Sequence, residues 1–142
     1  MILHVHTARL PHHGCPGYTG RDAIDVTRGS GGAYGGAFAP SRELLDEAQA
    51  MKRRAKKDEA KLVEAWGWYA PRYVEEMRQS YRTNRLQWAQ LLARAEVTLC
   101  CYCGTWSRCH RRLLAELLVK CGAIDLGERE PATPVAGQVG AR

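Results

Sequence analysis

No stretch of this 142-residue sequence holds the roughly 18 consecutive apolar residues that a membrane-spanning helix needs. The first ten residues carry His4, His6 and Arg9 inside their apolar run, so they lack the uninterrupted core of a secretory signal. Export and membrane partners are therefore not expected, and a cytoplasmic location is. Cysteines spaced for a disulfide framework are also missing. Of the six present, four fall between Cys100 and Cys109, and Cys100 and Cys101 are adjacent. Such clustering staples a fold poorly and suits a metal or reactive-thiol site in a reducing compartment. Internal repeats are lacking too. The length suits one hydrophobic core, and a single α/β domain over residues 1–128 is expected, followed by a disordered tail over 129–142 rich in Pro, Gly and Ala.

Charge is not balanced. The formal net charge is +6, which favours a polyanionic partner: a phosphate-bearing small molecule or a nucleic acid. Much of the excess lies in Lys52, Arg53, Arg54, Lys56 and Lys57, a run that reads first as a solvated helix face.

Short β-branched segments at Ile2–Thr7 and Ala23–Thr27, a nearly continuous apolar run at Glu96–Tyr102 and a last segment at Ala123–Leu126 read as strands. Gly29–Pro40 holds five glycines and reads as loop. Ser41 is placed to cap a helix carrying Leu44, Leu45, Ala48, Met51 and Ala55 at helical spacing. Helix is expected to continue, with a break, to Pro71. A new helix would begin there, with Val74, Met77, Tyr81, Trp88, Leu91 and Ala95 as its apolar stripe. The aromatic residues of these helices read as core packing. The final helix places Leu113, Leu114, Leu117, Leu118 and Cys121 on one buried face, and Gly122 ends it.

Strands alternating with helices predict a Rossmann-like, three-layer α/β fold with a mostly parallel sheet and helices on both faces. Ligands of such sheets bind beyond the carboxyl ends of the strands. Two unusual segments fall there: Asp25-Val-Thr-Arg28 with its glycine loop, and Cys101-Tyr-Cys103 leading into Cys109-His-Arg111. The loop with His12, His13 and Cys15 is a weaker third.

Cys109, His110 and Arg111 open a helix, where free N–H groups and the helix dipole attract anions and lower a thiol's pKa. Arg111 adds a fork-shaped donor for phosphate or carboxylate. The plainer alternative packs Cys109 under the sheet and points His110 and Arg111 at water. Strand alternation puts Cys101 and Cys103 on one face, so Cys101, Cys103, Cys109 and His110 form a possible zinc set, although their spacing is not that of a zinc finger. A cysteine phosphatase loop fails on count: six residues separate Cys101 from Arg108 and four separate Cys103 from it, where five are needed. Asp25 is a candidate base or nucleophile if it faces the same cleft as the cysteines, and otherwise a partner of Arg28 that fixes the loop.

The stretch Val97-Thr-Leu-Cys-Cys-Tyr-Cys-Gly104, followed by Cys109-His-Arg-Arg-Leu-Leu-Ala-Glu-Leu-Leu118, resembles the domain of unknown function 488 superfamily, which opens a helix with Cys-His-Arg after a strand ending in cysteine. Ile24-Asp-Val-Thr-Arg28 and Phe38-Ala-Pro-Ser-Arg42 are similar to that superfamily's Asp-Val-Arg and Ser-Arg elements. The resemblance implies a Rossmann-like fold and a shared pocket. It places Asp25, Arg28, Ser41, Arg42, Cys101, Cys109, His110 and Arg111 on motif positions, and it fits a bacterial or phage source, with a host-cytoplasmic location if phage-encoded. Cys103 stands where many members carry glutamate, so any acid/base role of that glutamate does not carry over.

The leading expectation is an enzyme acting on a nucleotide or a nucleic-acid base. Asp25, Cys101, Cys109 and His110 would be its catalytic candidates, with Arg28, Ser41, Arg42 and Arg111 as ligand-binding ones. The alternatives are a non-catalytic, sequestering nucleotide binder and a metal-stabilised interaction domain. No cofactor is expected, with zinc as the one alternative.

Overall fold

The computed structural model describes residues 2–103 and 105–130. Four strands, β1 (His4–Arg9), β2 (Ala23–Asp25), β3 (Glu96–Cys101) and β4 (Ile124–Arg129), form an all-parallel sheet in the order β2-β3-β1-β4, with helices around it. This is a Rossmann-like α/β fold. β4 runs to Arg129, so that residue belongs to the sheet, while the tail expected beyond 130 lies outside the described residues. No helix among the described residues is long and apolar enough to cross a membrane.

The register explains the site. Arg9 pairs with Cys101 and Asp25 with Cys100, so the carboxyl ends of β1, β2 and β3 finish level with one another. Because strand side chains alternate, Val97, Leu99 and Cys101 enter the core on the helical side, together with Leu114 and Leu118 of the helix that follows β3. The thiol of Cys100 points the other way, towards the carbonyl of Thr98. On that second face the crossover from β1 to β2 is loop rather than helix. It is fastened by Tyr18 to Asp22 and by Asp22 to Thr98 Oγ1, with Arg129 over the Tyr18 ring.

Between β2 and β3 the chain makes α1 (Gly32–Gly36), α2 (Arg42–Ala55), α3 (Glu59–Thr83) and α4 (Arg85–Leu92). Helix α5 (His110–Lys120) joins β3 to β4. Ser41 caps α2 as expected, its hydroxyl accepting from Leu44 N–H at 3.2 Å. The helical break falls at Lys56 and Lys57, both with positive φ, and Asp58 caps α3.

Three expectations need correction. Pro71 lies inside α3 instead of starting a helix. Proline removes one N–H donor from the helical ladder, and beside that gap the Arg72 side chain donates to the Trp68 carbonyl at 2.8 Å. The apolar stripe is therefore split between α3 and α4: Met77, Trp88 and Leu91 are buried, whereas Tyr81 is half-exposed. Second, the glycine segment folds its middle into the short helix α1. A Cβ on Gly35 would stand 1.9 Å from the Asp25 carbonyl oxygen, so its missing side chain lets α1 pack on the end of β2. Third, Cys121 is exposed, because the helix ends there and Gly122, at φ +102°, turns the chain away.

Helix α3 also fixes the glycine loop. Tyr73 donates to the Phe38 carbonyl at 2.7 Å, Ser80 donates to that of Ala37, and Glu76 accepts from the backbone and hydroxyl of Ser41. These bonds satisfy loop groups that have no strand partner.

Candidate functional site

A cavity of about 480 Å³ opens beyond the carboxyl ends of β2 and β3, between the glycine loop, α2, α3 and the start of α5. Its volume is that of ordinary small-molecule sites. Cys101, Cys103, Cys109 and His110 line one side, and Trp66 and Tyr69 of α3 stand in its wall. The aromatic rings stack, with centroids 5.7 Å apart and planes 30° from parallel. Lys52 and Arg108 add cationic side chains, Arg108 being held to Glu59 at 2.7 Å.

The thiols form one cluster. Cys101 Sγ and Cys109 Sγ are 2.7 Å apart, and both residues are almost fully buried. Cys103 is half-buried. The Cys109 thiol, together with Arg111, holds the Cys101 pKa below the usual thiol range against the opposing effect of burial. Cys103 is lowered to about 5, first by the Cys109 thiol and then, against burial, by the charge of Lys52. Burial and its role as donor to both neighbours push Cys109 well up. The carbonyls of Thr105 and Arg108, 3.5 and 3.9 Å from Cys103 Sγ, suit a neutral thiol, but these long contacts are weaker than the Cys109 donor and the Lys52 charge. Cys109 is thus the proton donor of the cluster, Cys103 carries thiolate character, and Cys101 is shifted in the same direction as Cys103. On the opposite sheet face burial raises Cys100 to about 12, which keeps it inert.

Arg111 sits in the first turn of α5, as its position predicts, but its guanidinium turns inward and is only 1% exposed. Nε and Nη2 donate to the two carboxylate oxygens of Glu128 at 3.1 and 2.7 Å, and Nη1 donates to Cys101 Sγ at 3.1 Å and to the Cys103 carbonyl at 2.9 Å. Burial would lower its pKa, yet Glu128 and the thiols raise it, so it stays charged. The side chain expected to meet a ligand phosphate instead serves as counter-ion to the sulfur cluster.

His110 Nε2 lies 2.8 Å from the Val26 carbonyl. A carbonyl only accepts, so Nε2 carries the proton and Nδ1, 4.0 Å from Cys109 Sγ, is bare. Burial, opposed by the Val26 bond, lowers the His110 pKa to about 4, leaving the ring neutral at pH 7.

Asp25 accepts from the backbone and hydroxyl of Thr27 and from Ser30, so it orients two hydroxyl-bearing residues that line the cavity. Arg28 lines the cavity but spends Nε and Nη2 on the carbonyls of Pro40, Gly36 and Ala39, binding the glycine loop. Ser41 is occupied as the α2 cap, and Arg42 is exposed beside Asp46. In the third segment, His12 reaches the Tyr102 ring at 5.1 Å.

Over residues 6–122 the chain matches the family model described as the active DUF488-N3 subclade. The chain belongs to the DUF488 family. No curated protein and no solved structure matches it. The matched span takes in the thiol cluster, the glycine loop and both aromatic residues of the cavity of this DUF488 domain, and stops short of Glu128.

Three of the four residues singled out for zinc, Cys101, Cys109 and His110, bring potential ligand atoms within 4.8 Å of one another, and Cys103 is not among them. Two thiolates bound to one tetrahedral zinc at about 2.3 Å stand roughly 3.7 Å apart, about 1 Å further than the sulfurs of Cys101 and Cys109 at 2.7 Å. As placed, the two sulfurs are in direct contact, and a side-chain shift of about 1 Å would be needed to reach the spacing of two zinc ligands.

From the sequence, Lys52 reads as part of a solvated basic helix face, and Trp66, Tyr69 and Glu128 are not singled out for the site. The first was available: Leu45, Ala48, Gln49 and Lys52 follow helical spacing along the cavity side of α2. As helical aromatic residues Trp66 and Tyr69 read as core; Tyr69 is indeed buried, but both also face the cavity. No local signal in the sequence links Glu128 to Arg111.

Proposed function

We propose that this DUF488 domain is a thiolate-centred enzyme acting on a nucleotide or a nucleic-acid base. The carrying observation is one cavity that unites the thiols of Cys101 and Cys103 with the stacked Trp66–Tyr69 wall and the cation of Lys52. A flat base is stabilised against an aromatic face by about 1–3 kcal/mol, and Lys52 meets the phosphate. The thiolate attacks an electrophilic carbon of the bound ligand. An S–C bond forms, the leaving group departs with its electron pair, and Cys109 supplies the proton it takes up. Arg111 stabilises the thiolate electrostatically, His110 stays neutral, and Asp25 positions Thr27 and Ser30. The description of the matching family as active accords with this reading.

Mass spectrometry of small molecules released from the denatured, purified protein, followed by incubation with a panel of nucleotides and bases, tests it. Expected are a bound or converted nucleotide and loss of both conversion and adduct in Cys101→Ser/Cys103→Ser. Binding with full return of unchanged ligand would make the chain a sequestering protein. No affinity for any nucleotide or base would overturn the reading.

A further inference from the structure

We propose that Cys101 and Cys109 form a hydroperoxide-responsive dithiol that closes reversibly to a disulfide at the floor of the cavity. Both are free cysteines, and their sulfurs are already 2.7 Å apart. A disulfide bond is about 2.0 Å long, so closure needs only a small shift of two side chains. Both residues line the cavity, which gives a molecule as small as a peroxide its route in. Arg111 Nη1, 3.1 Å from Cys101 Sγ, offers a fixed donor to a thiolate at that position. Cys103 is the neighbour that does not need to move.

The chemistry balances without a metal. The Cys101 thiolate attacks the O–O bond of a hydroperoxide. An S–O bond forms, the O–O bond breaks, and the released alkoxide or hydroxide takes a proton from solvent, leaving Cys101 as a sulfenic acid. The Cys109 sulfur then attacks the Cys101 sulfur. The S–S bond forms, the S–O bond breaks, and the Cys109 proton leaves with the hydroxyl as water. The hydroperoxide is reduced by two electrons and the two cysteines are oxidised by two. An external dithiol restores them by thiol–disulfide exchange. This redox pair stands whatever the cavity binds. Its regulatory consequence, loss of a nucleophile on oxidation, rests on the function proposed above.

The test treats the reduced full-length chain with hydrogen peroxide and counts free thiols after denaturation. The count should fall by two from six, the intact mass should drop by two hydrogen atoms, and dithiothreitol should restore both. Cys103→Ser should still form the Cys101–Cys109 disulfide. Cys109→Ser should stop at a sulfenic acid that a 1,3-dione reagent traps on Cys101. Circular dichroism checks the fold of each variant, and Cys103→Ser keeps the test open if the buried variants fail to fold. Oxidation scattered over single cysteines, or a disulfide that vanishes in Cys103→Ser, would overturn the proposal. Absence of nucleotide binding by the reduced protein would leave it intact and sink only the enzymatic reading.

Discussion

Arg111 joins Cys101 to Glu128: one guanidinium nitrogen donates to the sulfur at 3.1 Å while the other end of the fork grips the carboxylate at 2.7 and 3.1 Å. The three residues span the end of β3, the start of α5 and the edge strand β4, so a single side chain ties the sulfur cluster to the sheet. Fold and site chemistry are coupled at this residue.

Arg111→Ala is expected to cost about 3–5 kcal/mol of stability, the usual result of removing one partner from a buried ion pair. Arg111→Lys should recover part of this, keeping the charge but not the two-pronged geometry. Urea denaturation of both variants measures the loss. A change under about 0.5 kcal/mol, typical of a solvated surface residue, would mean that Arg111 does not hold this position.

Much of this arrangement was legible beforehand, for identifiable reasons. Level strand ends follow from a parallel sheet, the Ser41 cap from local hydrogen bonding, and the Cys-His-Arg helix start from a short motif. What was missed depends on distant partners. Whether Arg111 turns out to a ligand or in to a sulfur is decided by Glu128, seventeen residues on and in another strand. Pro71 sits inside α3 because tertiary packing of Tyr69, Tyr73 and Met77 outweighs one lost helical bond. Helix α1 lies in a glycine-rich segment because it packs against the backbone of Asp25, which leaves no room there for a Cβ on Gly35.

Cys103 should be alkylated by iodoacetamide with a midpoint near its pKa of about 5. Removing the donor in Cys109→Ala should move that midpoint up. Lys52→Ala should move it up by less while leaving the melting temperature nearly unchanged, since Lys52 is exposed. Peptide mapping at a series of pH values reads the modification site by site, and Cys100 should remain unmodified in the folded protein. A Cys103 midpoint near the ordinary value of about 8.5 would remove the thiolate from this position.

Gly35→Ala should destabilise the protein and disturb Asp25 together. The new methyl group would meet the Asp25 carbonyl oxygen at 1.9 Å, a contact with backbone that no side-chain rotation relieves. Overpacking of this kind typically costs about 1–3 kcal/mol. Thermal melts compared with those of Gly67→Ala, whose Cβ meets nothing within 4 Å, check it. Equal melting temperatures in the two variants would show that α1 does not rest on the end of β2.

His110 gives the fold a pH dependence whose sign is set by its environment. In the folded chain its pKa is lowered to about 4 from an ordinary 6.5 by burial, partly offset by the bond to the Val26 carbonyl. Between those two values the unfolded chain binds a proton that the folded chain refuses. Acidification therefore favours unfolding: the contribution is complete above about pH 6.5, falls as pH drops through the window, and levels off below about pH 4. One pKa unit corresponds to about 1.4 kcal/mol, so the loss approaches about 3 kcal/mol. Carboxylates titrate in the lower half of the same window, which makes the difference between variants the informative quantity. His110→Asn retains an N–H donor for Val26 but cannot titrate. It should lower stability at pH 7.5 only modestly and flatten the stability profile between pH 6.5 and 4.5, measured by urea denaturation at each pH. Parallel profiles for the native protein and the variant would show that His110 is not the group responsible.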